Sequence, residues 1–298
     1  MYNFAPSKQH KILEVIATTT ELENSLMPLR AKGLKIALVP TMGALHHGHL
    51  SLIAAAQKQA DVVVCSIFVN PTQFTDPKDL EKYPRPLEHD IKMLAEAGCN
   101  FVFMPTVEEM YPSYPEPENW KINLGNAEFV LEGEFRKGHY QGVTQIVFKL
   151  FNAVKPNVAF FGQKDFQQVL MIKNMVAVLN LDVQIVTCPI IREEDGLAMS
   201  SRNIHLSEED RENSLVLSKA LFFIAENYHR YSLEDLLTTA KQIINNVPGV
   251  ALDYLTIANG DTLLPITTKT GHNTVALIAA KVGETRLIDN VIINWIVG

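Results

Sequence analysis

Cysteine is scarce in this chain, with only Cys65, Cys99 and Cys188 among 298 residues, no CxxC and an odd total. That excludes a disulfide framework and a cysteine zinc site, and a reducing compartment is the simple expectation. Long hydrophobic runs are missing too. The longest, such as VVVCSIFV at 62–69, stop far short of the roughly 20 residues of a membrane span. The opening MYNFAPSKQHK lacks the cationic start and apolar run of a signal peptide, so a cytoplasmic protein with no membrane partner is expected. Nor is there an excess of positive charge. Lys+Arg number 26 against 33 Asp+Glu, a formal net charge of −7, which argues against a general nucleic-acid partner. Any anionic ligand must therefore meet a local cluster of cations. Apolar residues are plentiful, at 47%, and intrinsic disorder is excluded as the main state. At about 150 residues per domain the length suggests two domains.

From residue 35 onward, short apolar runs alternate with amphipathic stretches. KIALVP (35–40), DVVVCSIFV (61–69), NFVFMP (100–105), NVAFFG (157–162) and VQIVTCPI (183–190) read as strands. Their near-continuous apolar character suits a parallel sheet covered on both faces, with a mostly antiparallel α+β arrangement as the alternative. Helical stretches fall between them at about 46–59, 86–97, 142–154 and 166–179. The predicted fold is α/β, a Rossmann-like doubly wound parallel sheet over 1–190, followed by a smaller C-terminal α+β domain over 191–298 that serves as a lid. Proline-rich 106–141 breaks the rhythm and reads either as a substrate-covering loop or as a plain surface excursion. In the second domain, helices are expected from about 207 and 232, with Ser207 and Ser232 as N-caps. TVALIAAKV and TRLIDNVII are expected to form a hairpin turning at Gly283-Glu284.

Four segments have residue types suited to phosphate and small-acid chemistry. In VPTMGALHHGHLSLI (39–53) a strand runs through a glycine-containing turn into a helix. His46 and His49, three apart, share the face of its first turn, beside free N–H groups and the positive dipole end. A zinc site or merely solvated histidines are the alternatives. Asn70-Pro71-Thr72-Gln73 closes the next strand, and Gln73 can both donate and accept, although an ordinary turn would read the same way. FFGQKDFQQ repeats the strand-to-helix geometry. Lys164 at a helix start is disfavoured by the dipole unless an anion sits there, and an exposed lysine is the plain alternative. LAMSSRN offers two hydroxyls and Arg202 to close over a triphosphate, or else is only a loop leading into a helix.

PTMGALHHGH, FVNPTQF, YPR, RKGHYQGV, FFGQKDFQQ, DGLAMSSRN and the late TRLIDN, in that order, resemble the pantoate-beta-alanine ligase family. This family belongs to the HxGH nucleotidyltransferase-like superfamily, and the likeness runs from about residue 35 to 290. The resemblance implies ATP-dependent condensation of pantoate with beta-alanine to pantothenate, AMP and pyrophosphate through a pantoyl adenylate. It also implies Mg²⁺ accompanying ATP, and a homodimer. Carried over residue by residue, it assigns ATP contacts to Met42, Gly43, Ala44, Leu45, His46, His47, Gly48 and His49, with His49 in the proton donor's place. Further ATP contacts fall on Gly162, Gln163, Lys164 and Asp165, on the Ile191 backbone, and on Met199, Ser200, Ser201 and Arg202. Gln73 and Gln168 match the pantoate-binding glutamines, Gln73 also facing beta-alanine, while Asn70, Arg136 and His139 line the substrate side. Developing phosphate charge then falls to His46, His49, Lys164 and Arg202. After YPR, His89 interrupts the acidic pair of some relatives, leaving Asp90, with Glu88, as the expected metal ligand. The rival readings are a nucleotidyltransferase of the same fold and a non-catalytic nucleotide-binding module.

Overall fold

A computed structural model of the chain describes residues 13–269 and 273–293, so the N-terminal segment behind the signal-peptide expectation lies outside the described residues. The first half contains strands β1 (Glu14–Ile16), β2 (Ile36–Thr41), β3 (Val62–Ile67), β4 (Phe101–Phe103), β5 (Val158–Gly162) and β6 (Gln184–Cys188). Its helices are α1 (Thr19–Ala31), α2 (His47–Gln57), α3 (Pro77–Lys82), α4 (Leu87–Glu96), α5 (Val107–Met110), α6 (Glu132–Phe135), α7 (His139–Val154) and α8 (Phe166–Val178). The five expected strands and four expected helices are all present. β1, α1 and the short helices α3, α5 and α6 are additions. β1 is an edge strand of three residues, too short to show a pattern, and α1, 13 residues long, carries Pro28 in its body, which sequence reading takes as a helix breaker.

The strand order is β1-β4-β3-β2-β5-β6, and every pair is parallel, which disposes of the antiparallel alternative. Alternate residues explain the apolar runs. Ile36 and Leu38 of β2 join one core, and Ala37 and Val39 join the core on the opposite face. The chain progresses outward from β2 in one direction, then returns to place β5 on the other side of β2. Ligands of open α/β sheets bind outside the carboxyl ends of the strands at such a reversal, so β2 and β5 mark where a site is expected.

The second half begins with α9 (Glu208–Asn227) and α10 (Leu233–Asn245), capped by Ser207 and Ser232 as expected, each hydroxyl accepting a backbone N–H at 3.1 Å. Strands β7 (Val250–Asn259), β8 (Thr274–Val282) and β9 (Thr285–Ile293) form an antiparallel sheet in that order. Both helices pack on this sheet in a core of their own, while Ala258, Val275 and Leu277 join the core of the parallel sheet. Among the described residues no helix is long and apolar enough to cross a membrane.

Candidate active site

The turn from β2 into α2 is tightly specified. Gly43 lies at φ +78° and Ala44 at φ +49°, and Asp90 of α4 holds the turn by accepting the N–H groups of Ala44 and Leu45, each at 2.8 Å. A Cβ on Gly43 would lie 2.9 Å from the Asp90 carboxylate, so glycine is needed both for the backbone angle and for the approach of that oxygen. His46 then caps α2. Its Nδ1 accepts the Gly48 N–H at 3.1 Å, while Nδ1 of His49 accepts the His46 N–H at 3.3 Å, with the ring centroids 4.1 Å apart.

This reciprocal cap fixes the tautomers. An imidazole that accepts at Nδ1 keeps its proton at Nε2, so both rings offer an Nε2–H donor. Burial, helped by the Lys164 ammonium, pulls His46 down to about 4. Burial, the His46 ring and Lys164 pull His49 down to about 3. Both are neutral near pH 7. The helix-start N–H groups expected to be free for phosphate are therefore partly spent on the histidines. Directed Nε2–H donors stand in their place.

At the end of β3, Pro71–Gln73 make a single 3-10 turn. Asn70, wholly buried, donates to the Gln73 side chain at 3.2 Å and to the Gly142 carbonyl at 3.1 Å, and accepts from the Tyr111 hydroxyl at 2.8 Å. α7 lies directly on this turn, because a Cβ on Gly142 would meet the Thr72 carbonyl oxygen at 2.4 Å. His139 Nδ1 lies 2.7 Å from the Gln73 carbonyl, to which it must donate, and its Nε2 accepts from Arg136 at 3.3 Å. Burial, with the Arg136 guanidinium beside it, draws His139 down to about 4.

From β5 the chain makes a 3-10 turn, Gln163–Asp165, before α8. Lys164 and Gln168 face the carboxyl end of the sheet there. A further 3-10 turn, Ser201–His205, follows Ser200, whose hydroxyl accepts the Arg202 N–H at 3.2 Å. The Ile191 carbonyl accepts the Met199 N–H at 3.0 Å, leaving its own N–H as the group it can offer a ligand.

These elements enclose a cleft of two adjoining chambers that share Tyr83, Lys164, Asp165, Gln168, Ser200 and Arg202. The smaller, about 220 Å³, lies at the β2–β5 reversal. His46, Gly48, His49, Gln73, Gly162 and Met42 line it, with Ile191, Met199 and Ser201 on the side of the second half. Its back wall is apolar, built from Phe68, Val143, Ile146, Val147, Leu150 and Phe161. The larger chamber, about 700 Å³, runs between the two sheets past Arg136 and His139 to β9.

Several expected site residues are not on these walls. Asn70 is buried behind Gln73, Leu45 lies in the core, and His47 is exposed at the outer start of α2. Gly43 and Ala44 shape the turn without lining it, and Gln163 turns its amide to Asn290 at 3.0 Å. Asp90 is 1% exposed and each of its oxygens accepts a backbone N–H of the turn, so it braces that turn, and Glu88 lies exposed on α4. Among the described residues no group of three or more His, Cys, Asp or Glu is placed to hold a metal ion. The apolar wall and Tyr83, whose YPR motif carries no assigned role, are not among the expected site residues. Val143, Ile146, Val147 and Leu150 recur at helical spacing, which is the pattern of any core-facing helix.

The parallel sheet thus gathers an HxGH turn, a lysine and a serine-arginine loop at its switch point. The pantoate-beta-alanine ligase family profile matches residues 14–292, and the chain belongs to that family. It is 47% identical to the pantothenate synthetase of Bacteroides fragilis over 281 residues, 94% of this chain and 98% of that protein. Against that of Acetivibrio thermocellus it is 47% identical over 287 residues, 95% of this chain and 100% of that protein. The crystal structure of pantothenate synthetase from Thermus thermophilus superposes with a TM-score of 0.88 at 39% identity, covering 95% of this chain and 100% of that one. The pantoate-beta-alanine ligase of Francisella tularensis, crystallised with beta-gamma ATP and beta-alanine, gives 0.76 at 33% identity, covering 94% and 97%.

Proposed function

We propose that the enzyme joins pantoate to beta-alanine at the expense of ATP, giving pantothenate, AMP and pyrophosphate through a pantoyl adenylate. The observation that supports this most is the pairing, in one chamber, of two neutral Nε2–H imidazoles and Lys164 with two glutamines set against an apolar wall. The wall suits the methyl groups of pantoate, and Gln73 and Gln168 suit its hydroxyls and carboxylate. ATP lies from Met42 and Gly48 across Gly162 to Ile191 and Met199, with Ser200, Ser201 and Arg202 over its phosphates. Asp165 borders that subsite.

Carboxylate is a poor electrophile and its oxygen a poor leaving group, and adenylation cures both faults. In the first step the pantoate carboxylate attacks the α-phosphorus and the bond to pyrophosphate breaks. Charge accumulating on the phosphate oxygens meets Lys164, Arg202 and the His46 and His49 donors, already oriented by the helix cap. The depressed basicity of His49 makes it a neutral hydrogen-bond donor at pH 7 and not an imidazolium acid. In the second step the neutral amine of beta-alanine attacks the activated carbonyl and AMP leaves, with Arg136 and His139 lining its approach. No nucleophile of the protein is needed.

Mg²⁺ is expected to arrive held by ATP phosphate oxygens and water, the usual habit of an ion that dehydrates reluctantly. On the strand-helix order, residues 1–190 are the ATP and pantoate domain and 191–298 the lid; composition favours the cytoplasm, and the resemblance implies a homodimer, which light scattering tests. The decisive experiment incubates the protein with ATP, pantoate and beta-alanine and assays AMP and pantothenate. A stable adenylylated product without amide, or binding without turnover, would overturn the ligase reading in favour of its two rivals.

A further inference from the structure

The TRLIDN run of β9 has no part in the reaction as derived, yet its polar side chains grip three segments that carry the site. Arg286 forks the Glu132 carboxylate at 2.6 and 2.7 Å, just before Arg136 and His139. Asp289 takes both terminal nitrogens of Arg192, at 2.6 and 3.0 Å, at the base of the loop leading to Met199–Arg202. Asn290, 1% exposed, reaches the Lys164 turn itself. Its amide donates to the carbonyls of Gln163 and Lys164, each at 3.0 Å, and its oxygen accepts from the Gln163 side chain at 3.0 Å.

The Gln163–Asp165 turn is three residues long and has no side-chain cap of its own, so little within it fixes its orientation. A lysine ammonium sits on a flexible four-carbon stem, and its placement depends on where the backbone holds the start of that stem. Asn290 spends both N–H groups on consecutive carbonyls of this turn, the second of them belonging to Lys164. We propose that Asn290 is a positioning residue for Lys164: from the second sheet it sets the backbone from which the ammonium reaches the α-phosphate, and so controls adenylation without touching a substrate. The inference rests on the role proposed above for Lys164.

The test is a double-mutant cycle read by pantoate-dependent ATP/pyrophosphate exchange in the full-length protein. Asn290→Ala is expected to lower the exchange kcat by about tenfold to a hundredfold, the scale for misplacing a reacting group by about an ångström, with the KM for pantoate unchanged. Added to Lys164→Ala it is expected to cost nothing further, because the group it positions is gone. Asn290→Asp keeps the size of the side chain and the acceptor for Gln163 but has no N–H, and is expected to behave like Asn290→Ala. Losses that multiply in the double variant, a raised pantoate KM, or normal exchange in Asn290→Asp would overturn the proposal. So would a failure of both Asn290 variants to fold, seen by near-UV circular dichroism, because the amide would then serve the union of the two sheets and not Lys164. Wild-type exchange in Lys164→Ala would remove the role given to Lys164 and this inference with it, whereas an impaired Lys164→Ala with multiplying losses removes the inference alone.

Discussion

The two chambers of the cleft are built by opposite means. In the smaller one the polar side chains are mostly neutral and are aimed by hydrogen bonds to backbone: His46 on Gly48, His49 on His46, and Asn70 on Gly142 behind Gln73. The larger one is walled by ion pairs, Arg286 with Glu132 and Asp253 at 2.6 Å and, more loosely, Arg202 with Asp79 at 3.4 Å. Neutral donors held in fixed directions suit charge that develops during a reaction, because they need not reorganise when it appears. The Arg202–Asp79 pair, open to water, is screened and exchanges partners cheaply, which suits a passage, whereas Arg286 holds the buried Glu132 carboxylate with two nitrogens and fixes the wall beside it.

The sharpest way to break this contrast is to remove one aimed donor. His49→Ala should slow pantoate-dependent ATP/pyrophosphate exchange by about 10² to 10³ with the fold intact. An unchanged rate would show that the imidazole pair is only a helix cap. Next in size, Gln73→Ala and Gln168→Ala should each weaken pantoate binding by about 1.5 to 3 kcal/mol, the cost of losing a hydrogen bond to a charged group, and leave ATP binding nearly alone. Calorimetric titration with each substrate checks this, and a loss of ATP affinity with pantoate affinity retained would reverse the subsites.

Asp90 tests whether the acidic residues after YPR belong to the metal or to the turn. In Asp90→Asn an amide NH₂ would confront one of the two backbone N–H groups the carboxylate now accepts, and stability should fall by about 1 to 3 kcal/mol in urea unfolding. Extra magnesium should not restore activity, and Glu88→Gln, on the exposed side of α4, should leave the magnesium dependence unchanged. Recovery of Asp90→Asn at high magnesium would return Asp90 to the metal.

The most gradual effect is that of pH. His46, His49 and His139 sit at about 4, 3 and 4, below the ordinary 6.5, so the unfolded chain binds protons first as pH falls. Stability should accordingly hold above about pH 7 and decline from about 6.5 toward 4, because the unfolded state carries more protons throughout that window. His139→Gln should flatten part of the decline in the urea midpoint, and an unaltered slope would mean that this ring titrates normally.

Much of this is legible in the amino-acid order alone. The strands of the parallel sheet are continuous apolar runs, so both faces had to be covered, and the strand-to-helix turns at His46 and Lys164 follow from their order. The role of Asn70 is not legible: its residue type suits a ligand, and only the arrival of α7 at Gly142, with the Tyr111 hydroxyl, consumes its side chain. The hold of Asp90 on the turn is not legible either, since its position in the sequence does not say which backbone it will meet 45 and 46 residues earlier. The edge strand β1 and the proline-bearing α1 are too short or too irregular for periodicity to announce.

The sheet order also imposes a timetable on synthesis. β2 cannot meet β5 until the ribosome has added the residues between them; Ile36 bonds to the Asn157 side chain, 121 residues on. The amide that fixes Lys164 comes 126 residues after that lysine. At roughly 5 to 20 residues per second each interval lasts on the order of 6 to 25 seconds. During the first, the histidine turn exists without its lysine; during the second, the lysine turn exists without its anchor. A nascent chain thus carries the histidine turn, and later the lysine turn, well before the segments that complete and anchor them have been made.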